Sequence, residues 1–212
     1  MLPTLGVVIP CHKPYIVYLR ECLDSIESQT VKPSKVVVVC SSSIPSDIPP
    51  EFSNYSFPLQ IFTRNDIQNQ AQNRNAGALY IGTDLISFFD ADDRMHPQRI
   101  ETILKNADTA DIILHSFTTN FYELTPIACP TLYRNQLELA PSLCVHLIPD
   151  WRKPIHNAHV TIRKEVLNKV LFREDPIVHR REDALFCGDV MKIEGIQSLY
   201  ISNPLSWYRL IH

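Results

Sequence analysis

The chain has 212 residues, 45% of them hydrophobic and 20% charged, with a formal net charge of −3. That balance describes a globular chain able to bury a full core, and it leaves no global field that favours nucleic acid or an anionic membrane. No apolar run reaches the roughly 18–20 residues of a membrane span, and no basic region followed by an apolar core opens the chain. The five glycines, at 6, 77, 82, 188 and 195, never form Gly-x-Gly. A Walker A loop and a dinucleotide fingerprint, which wrap phosphate with closely spaced glycines, are thereby excluded. Six cysteines form no Cys-x-x-Cys pair, which argues against structural zinc and suits a reducing compartment.

The elements follow in order. Residues 5–9 are a short apolar strand, expected to end at Pro10. Residues 15–29 place Ile16, Leu19, Leu23 and Ile26 on one helical stripe. Residues 35–40 carry four consecutive valines and predict a buried strand. Residues 44–58 hold four prolines and no period, so they form a surface loop. A strand over 59–62, a helix over 68–80, a strand over 85–89 and a helix over 97–106 complete the first half. This alternation predicts a mostly parallel, Rossmann-like α/β sheet with helices on both faces. After residues 111–115 the pattern changes. Residues 117–160 have five prolines, three histidines and no sustained period, which reads as an irregular second lobe closed by a strand over 158–162. Short and longer helices are expected over 163–170 and 183–193. The chain is thus expected to be one domain over 1–212 with two parts, 1–115 and 116–212.

Chemistry concentrates where the strand over 85–89 ends in Asp90, Asp92 and Asp93. Ligands gather at the carboxyl ends of such strands. Clustered carboxylates repel one another unless a cation joins them, and hard divalent cations take carboxylate and phosphate oxygens. The pattern therefore suggests a metal–diphosphate site. A solvated acidic turn and a phosphatase-type Asp-x-Asp are the competing readings. The phosphatase motif belongs on a first strand with Thr or Val two positions beyond; here it lies deep in the chain and Arg94 occupies that position.

Four blocks carry a resemblance to a known family. They are the Val7–Pro10 strand with the 19–30 helix end, the Gln72-Asn73-Arg74-Asn75-Ala76-Gly77 stretch, Phe89-Asp90-Ala91-Asp92-Asp93, and Arg181-Glu182-Asp183-Ala184-Leu185-Phe186. In this order they resemble family 2 glycosyltransferases. The resemblance implies a GT-A fold and inverting hexosyl transfer from a nucleotide diphosphate sugar, a UDP-sugar above all, with Mn²⁺ or Mg²⁺. The acceptor would be a glycan, a lipid-linked sugar or a protein. It implies Asp92 on the metal, Asp90 on the ribose or on the metal through water, and Arg74 on base or phosphate. Asp93 is either a metal ligand or the cap of the helix near Pro97. Asp183 would be the general base, with Glu182 beside it holding the acceptor; helix capping is the other reading of this pair. His212, in the last segment, would complete the metal site. Gly77 would permit close helix–sheet packing.

Departures from the family pattern stand out. Pro10-Cys11-His12 occupies the base-contacting loop after the first strand, with His12 able to stack. Cys40-Ser41-Ser42-Ser43 replaces Asp-Asp-Gly-Ser, so Ser41 offers the base a neutral partner in place of an acid. Trp151 and His156 are candidate acceptor contacts. His156 and His159 have ligand spacing for a helix, yet Val160-Thr161-Ile162 predicts a strand, where i and i+3 point apart, so no metal is expected there. A cytoplasmic location, or one peripheral to a membrane, is expected. The rival functions are a nucleotidyltransferase, which the missing glycine-rich loop disfavours, and a non-catalytic sugar-binding relic.

Overall fold

The computed structural model describes residues 3–108, 110–140, 144–148, 150–175 and 181–210. Its elements are β1 (Leu5–His12), α1 (Ile16–Glu27), β2 (Lys35–Ser41), β3 (Leu59–Arg64), α2 (Gln70–Ile81), β4 (Leu85–Phe88), β5 (Arg94–Met95), α3 (Arg99–Asn106) and β6 (Ile112–Thr118). The second half adds β7 (Leu132–Arg134), β8 (Leu137–Leu139), β9 (Val145–Leu147), β10 (Thr161–Arg163), α4 (Lys164–Leu167), α5 (Glu182–Met191) and β11 (Ser198–Trp207). The main sheet runs β3-β2-β1-β4-β10-β6-β11-β5, with β7 on β11; β8 and β9 pair separately. The β3-β2-β1-β4 portion is parallel, as is β6 with β11, while β10 runs antiparallel between β4 and β6.

Alternation along the strands builds two cores. Val7, Ile9, Val36, Val38 and Cys40 face one layer with Leu19, Leu23 and Ile26 of α1 and Ile100 and Ile103 of α3. Val8, Val37 and Val39 face the other with Ala71 and Ile81 of α2 and Phe186, Cys187 and Val190 of α5. This is the period of two expected of strands buried on both faces. Gly77 on α2 faces Val8 so closely that an added Cβ would stand 2.5 Å from Val8 Cγ1. An Asn69–Gln72 capping box opens α2, the side chain of each accepting the other's backbone N–H at 2.9 Å.

Several expectations need correction. β1 does not stop at Pro10 but continues to His12. The Val8 carbonyl bonds to Phe89 on the β4 side, so the nitrogen of Pro10, two residues on, faces the same side. The β4 register ends at Phe88, and a missing N–H there costs nothing. The strand expected over 158–162 is a 3₁₀ turn, Asn157–His159, followed by the short β10. β11, with two register shifts near Pro204, has no expected counterpart. Its prolyl and polar interruptions mask the strand period. α3 begins at Arg99 after Gln98, so Asp93 does not cap it.

Candidate active site

Strands β2 and β3 lie on one side of β1 and β4 on the other, which puts a topological switch point between β1 and β4. Open α/β sheets bind ligands in the crevice at such a point. Here a cleft of about 560 Å³ opens there, lined by Pro10, His12, Asn73, Asp90, Asp92 and Arg209 among others. A neighbouring cleft of about 450 Å³ is lined by Arg74, His156, Glu182 and Asp183. The two share Gln70, Asp90 and Tyr208 as a common wall.

The three carboxylates after β4 diverge. Asp90 Oδ1 accepts from Arg74 Nη2 at 2.8 Å, and Glu182 Oε1 accepts from Arg74 Nη1 at 2.9 Å. Arg74 is 1% exposed, so its guanidinium is a buried bridge between the acidic turn and α5. Burial works against that charge, but Asp90, Asp183 and Glu182 outweigh it and hold its pKa above the ordinary value. Asp90 is itself pushed up by burial, against the pull of Arg74. Asp92 faces the cleft, and burial with repulsion from Asp93 and Asp90 pushes it up to about 7. Asp93 is fully buried and turned inward, its Oδ1 accepting the Arg209 backbone N–H at 2.8 Å.

These environments decide which groups suit a divalent cation. Asp92 fits: its neighbours crowd it with like charge, and an ion shared with phosphate oxygens would relieve that repulsion. Asp90 is committed to Arg74 and Asp93 points away from the cleft. His212 lies outside the described residues.

On the other side, Glu182 and Asp183 form the first turn of α5. Glu182 is 5% exposed and spent on Arg74. Asp183 borders the second cleft, with Oδ1 accepting the Ala184 N–H at 2.7 Å. Burial raises its pKa, with Arg74 opposing. Asn75, next to Arg74, holds the backbone of Phe172 through both N–H and C=O, at 3.0 and 2.9 Å.

Around the first cleft, Ser41 is fully buried. Its Oγ lies 3.2 Å from His12 Nδ1 and accepts from Asn73 Nδ2 at 3.0 Å. Asn73 also donates to the Cys11 carbonyl at 3.0 Å. A neutral network therefore occupies the place where the family pattern has an acid. Trp151 is 71% exposed and borders neither cleft. His156 borders the second. Asn73, Phe117, Tyr208 and Arg209 escaped the sequence reading as site residues. For Tyr208 and Arg209 the available signal was their place four and three positions before His212, in the same last segment. Arg209 Nε donates to the Asp92 carbonyl at 2.8 Å, and its guanidinium also reaches Glu21 at 2.5 Å.

Comparison with known proteins bears on this geometry. Residues 6–171 match the Glycosyl transferase family 2 model. The chain is 26% identical over 107 residues to the "Putative glycosyltransferase EpsH" of Bacillus subtilis (strain 168), covering 49% of this chain and 31% of that one. It is 32% identical over 90 residues to "Glycosyltransferase GlyA" of Streptococcus pneumoniae serotype 4 (strain ATCC BAA-334 / TIGR4), covering 42% and 13%. The matches thus span under a third of those curated relatives. Crystal structures of S. aureus TarS 1-349 superpose with TM-scores of 0.73 in the UDP-GlcNAc complex and 0.71 in the UDP complex, at 16% identity. They cover 99% and 98% of this chain and 59% and 60% of TarS 1-349. The fold is GT-A, and the chain belongs to glycosyl transferase family 2.

Proposed function

We propose that the chain is the donor-binding and catalytic part of an inverting glycosyltransferase, using a nucleotide diphosphate sugar and an acceptor hydroxyl. The observation that carries this reading is the pair of adjoining clefts. Asp92 faces one, Asp183 faces the other, and Asp90, Gln70 and Tyr208 form the wall they share. Structural relatives were crystallised with UDP and UDP-GlcNAc, which favours a UDP-sugar as donor. Residues 1–115 would hold the donor and 116–212 the acceptor.

In this reading Pro10 and His12 border the base, with the buried Ser41 behind them bonded to Asn73, and Asp92 would hold Mn²⁺ or Mg²⁺ for the diphosphate. Such an ion supplies Lewis acidity and charge neutralisation to the leaving diphosphate. Asp183 takes the proton of the acceptor hydroxyl. The acceptor oxygen bonds to the anomeric carbon as the carbon–oxygen bond to the diphosphate breaks, and the electron pair leaves with the phosphate. Attack from the side of Asp183, opposite the diphosphate, inverts the anomeric centre. Arg74 fixes Asp90 and Glu182, so Glu182 acts by orienting α5 and not as a second base.

A panel of UDP-, GDP- and dTDP-sugars with Mn²⁺, scored for nucleotide release with and without glycan acceptors, tests the reading. Turnover of a sugar nucleotide that Asp183→Asn abolishes is expected. A protein that binds these donors and turns over none would be a binding relic.

A further inference from the structure

His156 and His159 flank a 3₁₀ turn, where side chains at i and i+3 eclipse. Their rings accordingly stack 3.6 Å apart and 6° from parallel. Both turn Nε2 toward the inward-facing Asp93. Oδ2 of Asp93 lies 3.0 Å from His159 Nε2 and 3.5 Å from His156 Nε2. Asp93 and His159 are 0% exposed and His156 is 7% exposed. Asp93 Oδ2, His156 Nε2 and His159 Nε2 are all buried, and none makes a hydrogen bond among the described residues. The three atoms lie within 4.8 Å of one another. A buried carboxylate oxygen that meets two imidazole nitrogens without a hydrogen bond to either leaves a desolvation cost that a cation between them would offset.

We propose that Asp93, His156 and His159 form a cation site for a borderline divalent ion such as Zn²⁺, separate from the donor cation at Asp92. Two imidazoles and one carboxylate are a donor set for such ions, whereas Asp92, with phosphate oxygens, suits hard ones. Four-coordinate bonds of about 2.0–2.1 Å put neighbouring ligand atoms about 3.3 Å apart, and the two carboxylate–imidazole distances bracket that spacing. An ion binds in the plane of an imidazole ring, so parallel rings cannot both serve it and one must turn. His159 is fixed, with Nδ1 3.0 Å from Ser206 Oγ and its ring 4.1 Å from Phe89. His156 is the ring that would turn: it borders the second cleft and, apart from its stack on His159, meets Phe117 and Tyr208 by ring edges. Oδ1 of Asp93 already holds the backbone of Arg209. The ion therefore fastens together the acidic turn, the 156–159 turn and the segment whose Tyr208 and Arg209 wall the clefts.

The test uses the full chain without nucleotide, so its outcome is independent of the donor reading. Protein stripped with EDTA is titrated with Zn²⁺, desalted, and read by elemental analysis and thermal melting; Co²⁺ supplies a visible spectrum. One equivalent of zinc and a raised Tm are expected. His156→Gln, at the cleft rim, should stay folded by circular dichroism and lose at least the roughly 10–100-fold in affinity that even outer-shell changes cost. Asp92→Asn should keep the zinc. The proposal is overturned if wild type retains no zinc, if His156→Gln retains it fully, or if Asp92→Asn loses it.

Discussion

Asp92 is the residue whose environment most constrains its chemistry. Its folded pKa of about 7 stands above the ordinary carboxylate value, so the folded state holds a proton that the unfolded chain releases. Between about pH 4 and pH 7 stability therefore falls as pH rises. Asp92→Asn should flatten that slope and raise the Tm of metal-free protein at pH 7.5, by about 2–4 °C for each kcal/mol recovered. The same change should remove most Mn²⁺-dependent nucleotide binding, because an amide is a poor ligand for a hard cation. Melting curves from pH 4 to 8 and calorimetry with UDP and Mn²⁺ check both, and a variant that melts lower while binding UDP unchanged would refute the assignment. Asp183→Asn should leave nucleotide binding intact and slow transfer by about 10²–10⁴, the usual scale for a general base. Survival of transfer within a few-fold would reduce Asp183 to a helix cap.

The element that shapes the base side is α2 against β1 and β2. Gly77 lets the helix approach Val8, and an added methyl would need the Val8 side chain to move. Gly77→Ala should cost about 1–3 kcal/mol by overpacking, offset in part by the roughly 1 kcal/mol gain in helix propensity. Urea denaturation measures the balance; a stabilised variant would mean that the layers separate easily. This glycine role was legible in sequence, since a glycine inside a helical period has few other uses. The Ser41–Asn73–His12 network was not. Asn73 sits beside Arg74 in the chain but meets Ser41 only because α2 crosses the ends of β1 and β2. Ser41→Asp, which would restore an acid here, should tighten UDP relative to GDP. The scale is about 1.5–3 kcal/mol for one charge-assisted bond. Unchanged or weaker UDP binding in a fluorescence titration would show that the base lies elsewhere.

Across the whole molecule, Arg74 joins the two halves by bonding Asp90, 16 positions away, and Glu182, 108 positions away. Removing it takes the guanidinium from the buried Glu182 and from Asp90, which is partly exposed at the cleft wall. Arg74→Ala should therefore cost about 3–5 kcal/mol, the scale for breaking a buried ion pair by deleting one partner. The triple variant Arg74→Met, Asp90→Asn, Glu182→Gln should recover much of that stability, though not transfer. Chemical denaturation of the two variants checks the order. Equal stability of Arg74→Ala and wild type would show that water reaches these carboxylates.

The sequence by itself determined the parallel half of the sheet, the acidic turn after β4, the Glu-Asp start of α5 and the family. Those features are local: strand and helix periods, capping residues and motif spacing are written in neighbouring positions. Only the tertiary structure decided the directions of the three carboxylates. Asp90, Asp92 and Asp93 are near-identical in sequence, yet one pairs with Arg74, one faces the cleft and one is buried beneath it. Turning His156 and His159 onto Asp93 required a 3₁₀ turn where the residue pattern suggested a strand. Drawing Tyr208 and Arg209 over the acidic turn required β11 to lie in the sheet between β6 and β5. Such choices depend on contacts between separate elements, from 16 positions apart for Asp90 with Arg74 to 116 for Asp93 with Arg209, where desolvation and charge pairing outweigh local preference.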